Sequence, residues 1–592
     1  MARSETAAHL PFESFGRIAT GQRGAVATSQ PLASGAGVAA LRAGGNAIDA
    51  AIAAAAVLAV VEPAASHLGG DLFVVLYSAA EQRSWALNGS GNAPRAATSE
   101  KFPDGIPERG PMTVAVPGAV HGWCEASRRW GRLPLVDCLR DAIELARDGF
   151  GIGPGIAREL ETQRALLSSY PYSREQFLAG PTHTGAALRQ PGLARTLEAI
   201  AVNGVAGFYE GEVAREIARS VREQGGVLDE QDLAEHTSIV RDPIQSTYRD
   251  VTVLEQPPVS QGHILLQELN IAEQFDLTAM GPLAADALHV LIEAKKLAFA
   301  DRHRYLGDPD HADVPMEWLL SKEYAAQRAG EIDMACANPG PPAGEHNPYG
   351  TDTTYLATAD AEGNAVSWIQ SVFARFGSGV VAGSTGVLLN NRMRGFTLEP
   401  GHPNVLAPGK KPAHTLNAFL LMRDGLPYII GGTPGADYQV QTNLQLITHL
   451  LDHGMNIAEA NDAPWWAGER GTASSWRTEC PRPPWRICAR AVTRSRSPAA
   501  GRAGGPCSSS SAAPTAPCLR PQMCGPRATR LYGSERVVRR QEIMPTTRGT
   551  KAQDERKDTN NPESDEEAKA KGRDPQQSKG QSDNKKGKAQ KD

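Results

Sequence analysis

No segment of this chain is apolar for long enough to cross a bilayer. The best candidate, Ala50 to Val61, runs for about twelve residues where about twenty are needed. Its alanines and the flanking Gly45, Asn46 and Asp49 read instead as a buried helix of a soluble protein. Met1 to Arg23 has neither the basic start nor the apolar run of a secretory leader, so a cytoplasmic protein without a membrane partner is expected. Neither sign of charge is in excess. With a net charge of −5 and 21% charged residues, nothing points to nucleic acid or an acidic surface as a partner.

Metal and phosphate motifs are missing too. Of the 8 cysteines, Cys124, Cys138 and Cys336 are scattered, and Cys480, Cys488, Cys507, Cys518 and Cys524 crowd together without zinc-site spacing. No histidine follows His453. Asp301, His303, Asp308, Asp310 and His311 lack the spacing of a zinc-protease or calcium loop. Asp308-Pro309-Asp310 reads as the cap and turn after a helix ending near Tyr305. Pro408-Gly409-Lys410-Lys411-Pro412 has a Gly-Lys step without the rest of a phosphate loop, and reads as a turn. No metal and no cofactor are expected.

What is present is room for two to four domains in 592 residues, and folded character from residue 24 to 466. Ala25 to Ser29 reads as a strand, Pro31 to Ala43 and Asn46 to Val61 as helices, and Leu72 to Tyr77 as a strand entered through Gly69-Gly70. Residues 113 to 300 read as mostly helical, 353 to 440 as sheet, and Gln441 to His453 and Asn456 to Asp462 as helix. Strands from both ends of the region flanking helices predict one α/β core. From about Gly468 to Arg540 the chain is rich in Arg, Pro, Ser and Cys with no sustained period, which reads either as GC-rich codons translated out of frame or as a natural low-complexity linker. From 541 to 592 it is charged and polar, and disorder is expected.

One junction stands out. A Pro/Gly-rich loop runs into Thr351-Asp352-Thr353-Thr354 at the head of an alternating strand, and Asp360, Gly363 and Asn364 mark a hairpin turn into Ala365 to Val372. If the Asp352–Thr353 bond breaks, a hydroxyl and a new α-amine lie on one residue, nucleophile beside base. Thr351 and Thr354 are the alternatives on either side.

Several stretches, in order, carry a resemblance. They are Pro31 to Ser34, Gly44 to Ala51, Val61-Glu62-Pro63, Gly69-Gly70-Asp71, Val114 to Gly118, Thr353-Thr354-Tyr355, Asp360 to Val366, Phe376 to Gly379, Asn390-Asn391 and Gly431 to Gly435. Residues 24 to about 466 thereby resemble the γ-glutamyltranspeptidase family of N-terminal-nucleophile hydrolases. The resemblance implies a four-layer αββα sandwich and a proenzyme that cuts itself before Thr353. The large-subunit segment would be 1–352 and the small one would start at 353, with 353–467 its folded part. It places Ser371 beside the nucleophile's amine, Asn390 and Asn391 near the substrate, and the N–H groups of Gly435 and Ala436 at the oxyanion hole. Asn390 and Asn391 also read as turn-capping amides.

The same resemblance shows departures. Ser90 stands where γ-glutamyl enzymes carry the arginine for the α-carboxylate, Phe373 and Gly395 where the α-amino partners stand, and His414-Thr415 in place of a Ser-Ser pair. Losing charge-assisted contacts on both sides of a zwitterion disfavours a glutamyl donor. Phe373 to Val380 looks more like the oxamate amidohydrolase and cephalosporin acylase-like members, with Arg375, His414 and Asp437 as candidate polar contacts for the substrate. The expected function is hydrolysis of a small amide, or transfer of its acyl group to an amine. The alternatives are γ-glutamyl transfer and an unprocessed remnant, because residues 468–540 cannot supply the strands that complete the family's sheets.

Overall fold

Apolar side chains on both faces of a strand mean that both faces are covered, and residues 72–77 have this pattern. Leu72, Val74 and Leu76 enter one core, Phe73, Val75 and Tyr77 another. The computed structural model describes residues 10, 12, 14–16, 18–338 and 353–468, together with the backbone of a short strand at 475–476. The strands that build the site are β1 (Gly24–Thr28), β2 (Asp71–Ser78), β3 (Arg83–Gly89), β4 (Ile239–Arg241), β5 (Ile244–Tyr248), β6 (Val251–Glu255), β7 (Thr354–Asp360), β8 (Ala365–Ser371), β9 (Ala418–Arg423) and β10 (Leu426–Gly432). They form two antiparallel sheets, ordered β1-β7-β8-β2-β3-β4 and β10-β9-β6-β5.

Helices α1 (Pro31–Arg42) and α2 (Ala47–Val61) share a core with the outer face of the first sheet. Between the sheets, Phe73, Tyr355 and Ile369 meet Leu254, Leu420 and Ile430. Beyond the second sheet, α3 (Gly262–Ala272), α4 (Ala285–Tyr305) and α5 (Tyr438–Leu451) pack on Val253, Phe419 and Leu421. The layers are helix, sheet, sheet and helix, as the resemblance implied. Every residue of α2 is buried. Its alanines let the helix axis lie close to the sheet, and Asn46 and Asp49 close its first turn as a capping box. Among the described residues no helix is long and apolar enough to cross a membrane.

The hairpin turn at Asp360 is tied to this helix. Its Oδ1 accepts from the N–H groups of Glu362 and Asn364, and its Oδ2 from the N–H of Ala47 at the start of α2. The hairpin β5–β6 sits inside the stretch read as mostly helical. Each strand is only five residues long, and β6 finds its other partner far along the chain, Leu254 opposite Leu420. A local pattern carries little trace of such a pairing. Carboxy-terminally, Trp466–Ala467 pairs with Ser475–Trp476, just past the boundary drawn at 467. The remaining expectations for 468–592 lie outside the described residues.

Chain segments before and after the 352/353 junction are interleaved. β1 pairs with β7, and β2 with β8, so a cut there leaves both parts bound through shared ladders.

Burial also sets a pH response. Glu255 at the end of β6 is fully buried, accepts from Asn417 Nδ2 at 2.8 Å, and has its carboxyl pushed up to about 8 by burial. A folded pKa above the unfolded one stabilises fully below about pH 4.5, and that contribution is lost as pH rises through about 8. Glu255→Gln is expected to flatten the stability profile between those limits, removing a slope of up to about 1.4 kcal/mol per pH unit. Denaturant midpoints at several pH values measure it, and an unchanged slope would show that Glu255 does not carry the effect.

Candidate active site

Ladder register brings the site together. Ser371 at the end of β8 is opposite Asp71 at the start of β2, Leu72 is opposite Gly89, and Gln370 is opposite Thr354. Thr353, Ser371, Asp71 and Ser90 therefore stand side by side along one edge of the first sheet. Thr353 is buried, and its Oγ1 donates to Ser371 Oγ at 3.3 Å. Ser371 Oγ in turn accepts from the N–H of Phe373 at 2.8 Å. Thr354 points elsewhere: its Oγ1 donates to Glu62 Oε2 at 2.6 Å, an oxygen that also accepts from Ser29 Oγ. Thr354 thus anchors the strand head and leaves Thr353 as the threonine paired with a second hydroxyl. Asp352 and Thr351 lie outside the described residues. Gly70 admits β2 to this edge, since a Cβ there would stand 2.5 Å from the Ser371 carbonyl oxygen.

Removing the Ser371 hydroxyl tests the pairing. Ser371→Ala loses one hydrogen bond of about 1 kcal/mol at the Thr353 side chain. Cleavage at the junction is expected to slow about five- to tenfold in a time course on denaturing gels, with Ser371→Thr close to the parent.

The second sheet contributes the loop after β10. Gly435 has φ +131° and Ala436 φ +51°, so alanine occupies the left-handed region there at a cost of about 1 kcal/mol. The loop is pinned from behind by Gln261, whose Nε2 donates to the carbonyls of Thr415 at 2.7 Å and Ala436 at 3.0 Å. The N–H groups of Gly435 and Ala436 donate to no group among the described residues.

The remaining expected residues divide. Asn390 is fully buried with all four bonding positions taken. Its Nδ2 donates to the carbonyls of Gly69 and Ala115, and its Oδ1 accepts from the N–H groups of Ala115 and Arg392. Asn391 bridges the N–H of Ala374 and the carbonyl of Glu108. Both side chains brace loops. Arg375 pairs with Glu159 at 2.9 Å and Asp437 with Arg302 at 2.5 Å, so each charge is already matched by a neighbour. Thr415 is half-buried and bonded through its carbonyl. His414 is fully buried, packs on Phe73 at 4.9 Å, and is held well below the usual imidazole range by burial, then by Arg392 and Lys411.

Three residues not singled out by sequence reasoning stand at this edge. Asp71 and Arg392 form a fully buried ion pair, Nε to Oδ2 at 2.8 Å, and the N–H of Gly91 donates to the other oxygen. The Arg392 guanidinium lies 4.5 Å from the centre of the Phe373 ring, and Phe373 itself has φ +80°. Lys411, in the stretch read as a turn, is buried. Its amine donates to the Ser90 carbonyl and is drawn down to about 8 by burial, against the pull of Asp308 and Asp71. Of the group weighed as a metal cluster, Asp301 accepts from Tyr324 and Gln267, and Asp308 from the N–H of Lys411. Among the described residues no three His, Cys, Asp or Glu side chains are placed to hold a metal.

Comparison with known proteins bears on the family and the fold. The family model for gamma-glutamyltranspeptidase matches residues 33–476. The chain is 40% identical over 456 residues to a glutathione hydrolase-like YwrD proenzyme of Bacillus subtilis, covering 76% of this chain and 86% of that one. It is 36% identical over 446 residues to an oxamate amidohydrolase proenzyme of Klebsiella pneumoniae, covering 74% and 83%. The crystal structure of a cephalosporin acylase from Bacillus halodurans superposes with a TM-score of 0.72 at 36% identity, covering 79% of this chain and 87% of that one.

Proposed function

The chain belongs to the gamma-glutamyltranspeptidase family and has its N-terminal-nucleophile hydrolase fold, and from that premise we propose that it cuts itself before Thr353 and then hydrolyses a small amide through an acyl-enzyme. Relatives named proenzymes support a single chain processed into a large and a small subunit. The observation that carries the reading is Thr353 at the strand head, hydrogen-bonded to Ser371.

In the first step the Thr353 hydroxyl attacks the carbonyl of Asp352. The resulting ester hydrolyses and frees the Thr353 α-amine. In the second, Thr353 Oγ attacks the substrate carbonyl while the α-amine takes the hydroxyl proton and passes it to the leaving amine. The N–H groups of Gly435 and Ala436 receive the developing oxyanion, and Ser371 holds Thr353 in place. Water releases the acyl group as an acid; an acceptor amine in its place gives transfer. Ser90, Phe373 and Gly395 stand where a glutamyl zwitterion would be held, so a simpler acyl group is the substrate class. The glutathione hydrolase names among the relatives favour γ-glutamyl transfer as the second reading.

Expression of the full chain, a denaturing gel and N-terminal sequencing of the fragments test the cut. A fragment starting at Thr353 is expected, and a single persistent band would overturn the reading in favour of an unprocessed remnant. Assays with simple amides and a γ-glutamyl anilide separate the two donors, and efficient release from the glutamyl substrate would refute the simpler acyl class.

A further inference from the structure

The loop after β10 is strained, and it is held from outside. Ala436 sits at φ +51°, a left-handed conformation that is costly for alanine and freely open to glycine. Left to itself the residue relaxes toward negative φ, and its N–H turns with it. Two donors grip its carbonyl, the Gln439 N–H at 3.1 Å and Gln261 Nε2 at 3.0 Å. Gln439 belongs to the first turn of α5, directly after the loop, and moves with it. Gln261 stands just before α3, on a separate stretch of chain, and is the fixed reference of the two.

The orientation of that reference is itself determined. Gln261 is fully buried, and the same Nε2 donates to the Thr415 carbonyl at 2.7 Å, on the approach to β9. Its two amide N–H groups are thus spent on two carbonyls. A flipped amide would set Oε1 against both carbonyl oxygens, which fixes the side chain in one orientation. The residue after Ala436 is tied as well. Asp437 pairs with Arg302 of α4 at 2.5 Å, and its carbonyl accepts from Gln441 Nε2 at 2.9 Å. The Gly435 carbonyl, which shares a peptide plane with the Ala436 N–H, accepts from the Tyr438 N–H at 2.9 Å. That plane keeps its tilt as long as Ala436 keeps its conformation.

We propose that Gln261 is a positioning residue for amide hydrolysis: it keeps Ala436 left-handed and so keeps the Ala436 N–H aimed where charge develops on the substrate's carbonyl oxygen. The proposal rests on the reading that Thr353 is the nucleophile and that Gly435 and Ala436 receive the oxyanion. Gln261 acts through Ala436 and not on the substrate. An N–H bond to that oxygen strengthens as the oxygen becomes charged, so losing its aim lowers kcat and leaves KM near the parent value. Removing an oxyanion donor outright costs about a hundredfold or more, and a donor misaimed for part of the time loses a fraction of that.

A double-mutant cycle on the self-processed enzyme tests this, read with whichever of the simple and γ-glutamyl p-nitroanilides the parent hydrolyses. Gln261→Met keeps the length of the side chain and removes the amide. It is expected to lower kcat about tenfold, with KM changed less than about twofold. In the Ala436→Gly background the left-handed conformation carries no strain, and the same change is expected to cost about twofold, a coupling of about fivefold. A side chain that only stabilises the fold would lower kcat by one factor in both backgrounds, and that result would overturn the proposal. A rise in KM at constant kcat, or no loss on Gln261→Met, would overturn it too, and each leaves the amidase reading standing. If Gln261→Met does not fold or is not cut, Gln261→Asn takes its place in the cycle with the same expected coupling, since it keeps a buried amide one methylene too short to span both carbonyls. A parent that is not cut at Thr353 and hydrolyses neither anilide would overturn both the proposal and the reading beneath it.

Discussion

Thr353→Ala is expected to remain one uncut chain and to lose amide hydrolysis by about 10⁴-fold or more. The size of the loss follows from what one hydroxyl does. In the proposed mechanism its oxygen is the attacking atom in the self-cut and again in substrate hydrolysis, and cleavage creates the α-amine that accepts its proton. Without the hydroxyl neither step has a nucleophile, and the oxyanion donors at Gly435 and Ala436 are left to polarise a carbonyl that nothing attacks. Thr353→Ser keeps the oxygen and is expected to be cut at the same bond, more slowly, because serine's Oγ has more rotamers than a β-branched threonine held by Ser371. Gel analysis with N-terminal sequencing measures the first effect and a continuous anilide assay the second. Full cleavage of Thr353→Ala would move the nucleophile elsewhere. Thr354 is a poor replacement, because its hydroxyl is bound to Glu62.

How far the chain could be read before its structure was known follows from the range of each interaction. The Asp360 turn, the capped helix Ala47–Val61 and the sandwiched strands were legible because their signals are local: a capping pair three residues apart, a short apolar run entered through Gly69-Gly70, an Asp-x-x-Gly-Asn turn. The strand pair Ile244–Tyr248 and Val251–Glu255 was not, because its place is set by Leu420, far away in the chain. The site divides in the same way. Thr353, Ser371 and the Gly435-Ala436 loop lie in stretches with family likeness. Asn390 and Asn391 carried the same likeness, and their amides brace a loop. Arg392 two residues on was passed over, since an arginine looks like surface until its partner is known. Asp71, from a segment near the other end of the chain, is that partner, and only the register Ser371 to Asp71 reveals it. Two cations from other segments, Arg392 and Lys411, thus reach the edge where Ser90 stands.

The same pair gives the largest stability effect. Asp71→Asn keeps the size of the side chain and can still accept one of the two bonds from Gly91 and Arg392, but it removes the only carboxylate among the described residues that is bonded to this fully buried guanidinium. Arginine cannot shed its proton to escape burial, so the loss is expected to be about 3–5 kcal/mol in denaturant unfolding, with junction cleavage reduced in proportion to the folded fraction. The reciprocal change is milder. In Arg392→Met the buried Asp71 carboxyl, already pushed upward by desolvation and opposed first by Arg392, takes up a proton and becomes neutral. With its folded pKa raised, that variant recovers stability as pH falls and loses it as pH rises through the raised value. The double variant Asp71→Asn/Arg392→Met buries no charge at either position, and is expected to regain most of what Asp71→Asn loses. Strict additivity of the two single losses would show that the ion pair does not couple the strand edge to the loop that follows Asn390.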